Sequence, residues 1–248
     1  MRIWTATLAF VLAATAASAQ RQEVLVSAAA SLADVMETIS RDYEKRTGVR
    51  VVVNTGASNT LARQITAGAA VDLFISADEA QMDVVRAEVV ANTRVDLLSN
   101  QLAIAVPADR PRTLRSAREL TDPAFRRIAV GDPAAVPAGV YAKAYFEKLG
   151  IWPLVLAKAV PSASVRVALA AVENGAADAA IVYRTDVVAA HGAVLALAIP
   201  VADGPRIVYP AAIIRSGRNR EAASRLLAWL RQSDAVKIFE AAGFTRAH

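Results

Sequence analysis

Residues 23–54 read EVLVSAAASLADVMETISRDYEKRTGVRVVVN, and the change of period inside this stretch decides the fold. Residues 23–30 form a short apolar run that reads as a buried strand. From Ser31 the apolar positions switch to Leu32, Val35, Met36 and Ile39, the spacing of one helix face through residue 46. The β-branched run 50–54 then reads as a second strand. Two strands joined through a helix run parallel, because a crossover of that length carries the chain back to its starting edge.

The pattern continues with a helix over 58–67, a strand over 71–76 and a helix over 79–88. Such a βαβαβα order predicts a doubly wound sheet whose ligands sit beyond the carboxyl ends of the strands. Ser31 and Ser58 both fall at that edge. A second unit follows: a strand over 101–106, a basic loop with Pro107 and Pro111, and a short helix near 116–120. Next come a strand over 127–130, a turn at 131–133, and a helix over 138–149 closed by Gly150. After a connection through Trp152 and Pro153, a helix over 165–174 leads to a strand over 179–183. Strands 194–199 and 206–214 precede two terminal helices, 218–231 and 233–242, with Gly243 as the stop.

The expected architecture is therefore α/β with two lobes, each a mainly parallel sheet flanked by helices. Two crossing strands, QLAIAVP (101–107) and RIVYPAAII (206–214), would join them. Residues 20–102 and 205–248 would make lobe 1, and residues 103–204 lobe 2.

Residues 1–19 have the form of a secretory signal: Arg2, an apolar run through Ala16, and the small-residue exit Ala17-Ser18-Ala19. Cleavage near Ala19 and a periplasmic address are expected. The apolar run is too short for a membrane anchor. With no cysteine in the chain, a disulfide framework, a thiolate metal site and a lipid-modified N-terminal cysteine are all excluded. The formal charge is +5, and Arg110, Arg112, Arg115 and Arg118 make the densest basic group without interleaved aromatics. A nucleic-acid surface wants a clustered stripe with stacking platforms, so no nucleic-acid partner is expected.

Four segments put a small or hydroxyl residue at a helix start directly after a strand or turn. They are Ser31 in VLVSAAASLADV, Ser58 in VVVNTGASNTLARQI, Ala138 in VGDPAAVPAGVYAK, and Val165 after Ser164 in PSASVRVALAAV. The first N–H groups of a helix have no intrahelical acceptor, and the aligned peptide dipoles leave that end partly positive. Several such ends facing one cleft make an anion site without a charged side chain. Each residue also has an ordinary reading: serine is a common helix cap, and Tyr183, at the end of an apolar strand, suits a half-buried core position. Asp72, Asp78 and Asp132 lie where aspartate shapes turns and strand edges. His191 and His248 stand outside any hydrolase motif.

The segments AAASLADVM, ASNTLARQITAGAAVDLFISADEAQMD, IAVGDPAAVPAGVYAKAYFEKLG, SVRVALAAVENGAADAAIVY and AVKIFEAAGF resemble, in order and spacing, the periplasmic molybdate-binding proteins of ATP-driven importers. The resemblance implies a type II periplasmic-binding-protein fold that closes over molybdate or tungstate and delivers it to a membrane permease. It further implies an oxyanion held by Ser31, Ser58, Ala138, Val165 and Tyr183, with no direct bond to the metal atom, no cofactor, no catalytic residue and a monomeric chain. One departure is local: Ala57 stands where the family's turn often carries a further serine. Two alternatives remain at this stage: a receptor for sulfate or another tetrahedral oxyanion, and an envelope enzyme acting on a phosphate or sulfate ester.

Overall fold

A computed structural model describes residues 22–247; the expected signal segment and its cleavage point lie outside the described residues. Strand β1 (Glu23–Ala29) passes through a 3-10 turn at Ala30–Leu32 into α1 (Ala33–Thr47), and β2 (Arg50–Gly56) leads to α2 (Ser58–Thr66). Then come β3 (Leu73–Ile75), α3 (Glu79–Val84) and β4 (Val95–Ser99). The second unit holds β5 (Leu102–Pro107), β6 (Ile128–Gly131), α4 (Pro137–Lys148), α5 (Trp152–Leu156) and β7 (Ala159–Ser162). It continues with α6 (Val165–Glu173), β8 (Ala179–Tyr183), α7 (Arg184–Val188) and β9 (Ala193–Ala198). The chain returns through β10 (Val208–Ile213), α8 (Arg220–Leu230) and α9 (Ser233–Ala241) to β11 (Thr245–Arg246).

The strands form two sheets, ordered β11-β4-β10-β3-β1-β2 and β7-β6-β8-β5-β9. In the first, β1 pairs in parallel with β2 and β3, while β10 enters antiparallel between β3 and β4. In the second, β6 is parallel to β7 and β8, and β5 is antiparallel to β8 and β9. Strand β11 also runs antiparallel to β4. The two strands expected to cross between the lobes do not cross, since β5 lies wholly in the second sheet and β10 wholly in the first, each the first strand laid down after the chain passes over. The outward crossing takes only Asn100 and Gln101, between β4 and β5; the return uses residues 199–207.

Period-two alternation packs both faces of the first sheet. On β3, Leu73 and Ile75 join the main core while Phe74 turns to a second cluster with Leu61, Ile65 and Met82 beneath α2 and α3. On β10, Ala211 and Ile213 face one side and Ala212 the other, with Ile214 just beyond the strand joining Ala212 in the second cluster. Helix α1 buries Val35, Met36, Ile39 and Tyr43, the stripe expected from its sequence, and ends where Gly48 takes φ 72°.

Five short elements escape the sequence pattern, the two-residue β11 among them. Strand β4 contains Asp96, and β7 contains Pro161, which an edge strand tolerates because one side of its backbone has no ladder to join. Helices α5 and α7 have five residues each, too few to display a helical period. The segment read as one helix over 79–88 is α3 followed by a separate 3-10 turn at Arg86–Glu88. The helix expected near 116–120 is a 3-10 turn, Ala117–Thr121, capped by Ser116.

Candidate functional site

Every parallel strand of the two sheets ends toward one gap. Ser31 follows β1, Ser58 follows β2, and Ala77 follows β3; from the other sheet, Ala138 follows β6, Val165 follows β7, and Tyr183 closes β8. All of these residues line one cavity, with Ala29, Ala30, Ala57, Val136 and Pro137 completing its wall. The cavity is tight, with a volume of about 10 Å³, far below the roughly 300–1,000 Å³ of pockets for organic ligands. A ligand of a few heavy atoms suits it.

The five residues singled out by sequence offer donors by different routes. Ser58 is the first residue of α2, and its Oγ accepts the Ala77 N–H at 2.9 Å. With a lone pair occupied from behind, the hydroxyl proton is released for the cavity. Ser31 differs from the expectation: it sits in the 3-10 turn before α1, not at the start of the α-helix, and its Oγ lies 2.9 Å from Tyr209 Oη.

Ala138 is the second residue of α4, behind Pro137, which has no N–H to present. Its amide is among those a helix leaves without an internal acceptor. Val165 opens α6; Ser164 caps the helix by accepting the Val167 N–H at 3.2 Å, which leaves the Val165 amide outside the cap. Gly139 allows α4 to come this close. A Cβ there would lie 1.9 Å from the Gly131 carbonyl oxygen, so only glycine lets the helix start rest on the end of β6.

Tyr183 is the clearest case. Its side chain is 1 % exposed, and its hydroxyl is a buried polar atom without a hydrogen-bond partner among the described residues. Buried hydroxyls nearly always find a partner, so this one points to a ligand. Burial raises the phenol well above its ordinary pKa, and Tyr209, Tyr141, Asp78 and Asp186 act in the same direction. The group is a proton donor at neutral pH. Its backbone is pinned by Asp186, whose Oδ2 accepts the Tyr183 N–H at 2.9 Å.

No lysine, arginine, histidine or carboxylate belongs to the cavity wall. The nearest cation along the chain, Arg166, is engaged elsewhere: Nη2 donates to Asp34 Oδ2 at 2.6 Å, and Nε lies 3.1 Å from Asp186 Oδ1. A site built this way supplies hydrogen-bond donors and little else. It matches a fully deprotonated oxyanion, because a protonated oxygen would need an acceptor.

The three aspartates read as structural take such places. Asp72 accepts the N–H groups of Leu25 and Asn219, both at 2.8 Å; Asp78 caps α3 through the Gln81 N–H at 2.8 Å; and Asp132 accepts the Ala134 N–H at 2.9 Å. His191 lies beyond α7 with its backbone N–H on Glu173 Oε1. Among the described residues, no group of three or more His, Cys, Asp or Glu is placed to hold a metal ion, and no helix is long and apolar enough to cross a membrane. Sequence reasoning missed Arg166, Asp34, Asp186, Asn100 and Tyr209. The one local signal was Asp186, three residues after Tyr183, where an acid caps a helix start.

Two α/β lobes with donors from both converging on one small gap define a ligand-clasping binding protein. In agreement, residues 24–245 match the bacterial extracellular solute-binding proteins, and the chain belongs to that family. It is 39 % identical to the molybdate-binding protein ModA of Escherichia coli over 246 residues, covering 97 % of this chain and 95 % of the relative. Among solved structures, the substrate-binding domain of a putative molybdenum ABC transporter from Clostridium difficile is 34 % identical, with a TM-score of 0.71 over 91 % of this chain and 99 % of that one. The Azotobacter vinelandii periplasmic molybdate-binding protein, at 24 % identity, shares the fold with a TM-score of 0.82 over 91 % of this chain and all of that one.

Proposed function

We propose that this protein captures molybdate between its lobes and hands it to the permease of an ABC importer. The observation that carries this reading is the orphaned Tyr183 hydroxyl, buried in a small cavity whose wall has donors and no charged side chain. In this reading the hydroxyls of Ser31, Ser58 and Tyr183 and the amides of Ala138 and Val165 hold the oxygens of the dianion. The metal atom itself makes no bond to the protein. A buried dianion is tolerable only when its oxygens are met by donors, and helix N-termini add favourable potential.

Tungstate, with the same shape and charge, is a second ligand. Residues 20–102 with 205–248 act as one lobe and residues 103–204 as the other, closing on the ligand because it contacts both. The chain works as a periplasmic monomer after loss of residues 1–19, carries no cofactor and catalyses no reaction. These assignments draw support from the relatives' names and from the cavity's chemistry.

Calorimetric titration of the mature protein with molybdate, tungstate and sulfate tests the proposal. Molybdate and tungstate are expected to bind one per chain, and sulfate to leave the molybdate isotherm unmoved. Equal competition by sulfate would make the protein a general oxyanion receptor. Turnover of a phosphate or sulfate ester would make it an enzyme.

A further inference from the structure

We propose that Tyr209 is a positioning residue for the oxyanion site: held by Asn100, it donates to Ser31 Oγ and thereby turns the serine proton into the cavity. The inference rests on Ser31 being a ligand donor, as proposed above, and assigns what aims it.

The polarity of the chain of bonds follows from its fixed end. Asn100 Oδ1 accepts the backbone N–H of Gln101 at 2.8 Å. A backbone N–H can only donate, so the orientation of the amide is set. Asn100 Nδ2 then faces two hydroxyls, donating to Thr185 Oγ1 at 2.9 Å and to Tyr209 Oη at 3.1 Å. Tyr209 Oη is thus an acceptor toward Asn100, and its own proton has Ser31 Oγ at 2.9 Å before it. Ser31 Oγ accepts, and the serine proton is left for the cavity that Ser31 lines.

The opposite polarity fails on burial. If Ser31 donated to Tyr209, the tyrosine oxygen would accept twice, and its proton would stay inside a fully buried side chain without an acceptor. Leaving a buried donor unmet is disfavoured more than any single such bond favours folding. Burial also raises the phenol of Tyr209 above its ordinary pKa, which keeps the proton in place to be donated.

The chain starts at the crossing. Asn100 lies in the two-residue link between β4 and β5, Tyr209 stands near the start of β10 just after the return crossing, and Thr185 belongs to α7 of the second sheet's unit. The aim of a ligand donor is therefore set by the segments that any closing motion must bend. The same logic operates at Ser58, where the backbone N–H of Ala77 does the work; at Ser31 a side chain does it, which a substitution can remove.

The test is a double-substitution cycle on the mature protein, with Tyr209→Phe, Ser31→Ala and the pair, read by molybdate titration alongside apo thermal unfolding. Ser31→Ala is expected to weaken molybdate binding by about tenfold or more, since it removes a bond to a charged group. Tyr209→Phe is expected to weaken it by about three- to tenfold in the Ser31 background and to change nothing once Ser31 is alanine. A loss of equal size in both backgrounds, or no loss with Ser31 present, overturns the proposal. If Ser31→Ala itself leaves affinity unchanged, the ligand role of Ser31 falls instead.

Should Tyr209→Phe fail to fold, Asn100→Asp gives a second reading. A carboxylate accepts the tyrosine proton, which reverses the chain and draws the serine proton away from the cavity. Its loss of affinity must then shrink when Ser31 is alanine; a loss that does not shrink overturns the assignment.

Discussion

Arg166 of α6 reaches Asp34 of α1, Nη2 to Oδ2 at 2.6 Å, and directly follows Val165 of the cavity wall. The same guanidinium lies 3.1 Å by Nε from Asp186 Oδ1, although neither atom is aligned for a hydrogen bond with the other. One cation thus ties an acid of the first sheet's unit to an acid of its own. The contact exists only while the two units are together.

Asp34→Asn should therefore weaken molybdate binding by loosening the closed arrangement rather than by touching the ligand. Asp34 is 62 % exposed, so the pair is screened and belongs with surface ion pairs of about 0.2–1 kcal/mol. The expected loss is about 1.4- to fivefold at low ionic strength, and clearly smaller near 1 M salt, where the screening length falls to about 3 Å. Titration at the two salt concentrations checks this; a loss that persists undiminished at high salt would assign the effect to something other than the ion pair.

Asp186 carries a pH signature. Burial pushes its carboxyl up to about 6, with Arg166 and the Tyr183 N–H pulling the other way. Because the folded-state value is raised above the unfolded one, the folded protein takes up this proton more readily between about pH 4 and 6. Stability drawn from this group is full below that window, is lost as pH rises through it, and is level above it. Urea unfolding of the wild type and Asp186→Asn at pH 4, 5, 6 and 7 isolates the group. The wild-type advantage should fall from pH 4 to pH 6 and then flatten. A difference that is constant, or that rises with pH, counts against this account.

Tyr183→Phe should split folding from binding. It deletes a buried hydroxyl that has no partner in the protein, so the apo protein is expected to keep its unfolding temperature or gain up to about 1 kcal/mol of stability. Molybdate affinity should drop by about tenfold or more, the worth of a hydrogen bond to a charged group. Differential scanning calorimetry with and without molybdate reads both effects. A variant destabilised without ligand would show that the hydroxyl has a protein partner after all.

The site was legible in the sequence to different depths. Strand-to-helix junctions announce themselves by the switch from continuous apolar runs to helical spacing, which places Ser31, Ser58, Ala138 and Val165 at donor-rich edges from the sequence alone. That these edges face one another across two sheets came from the resemblance, since local pattern does not encode the docking of distant units. What aims and latches the donors was invisible. Tyr209 meets Ser31 across 178 positions, and Arg166 meets Asp34 across 132, in each case joining side chains whose local surroundings carry no motif. Strands β4 and β7 were missed because an edge or near-edge strand with a charge or proline breaks the apolar run that marks buried strands.

Gly139→Ala tests how closely helix α4 must approach the sheet for its amides to reach the cavity. The added Cβ would fall 1.9 Å from the carbonyl oxygen of Gly131, 2.5 Å from its carbonyl carbon and 2.8 Å from the Asp132 oxygen, all backbone atoms at the end of β6. Backbone cannot swing aside as a side chain tip does, so the helix must lift, taking the Ala138 amide with it. Destabilisation of at least about 3 kcal/mol is expected, at the upper end of overpacking effects. The matched control is Gly150→Ala, where φ is +71° and nothing lies within 4 Å of the new Cβ; left-handed backbone alone sets its penalty at about 1–2 kcal/mol. Chemical unfolding of both variants ranks them, and molybdate titration of whatever Gly139→Ala protein folds should give a weaker affinity than that of Gly150→Ala. If the two variants unfold alike and bind alike, the close seating of α4 on β6 is not what delivers the Ala138 amide to the site.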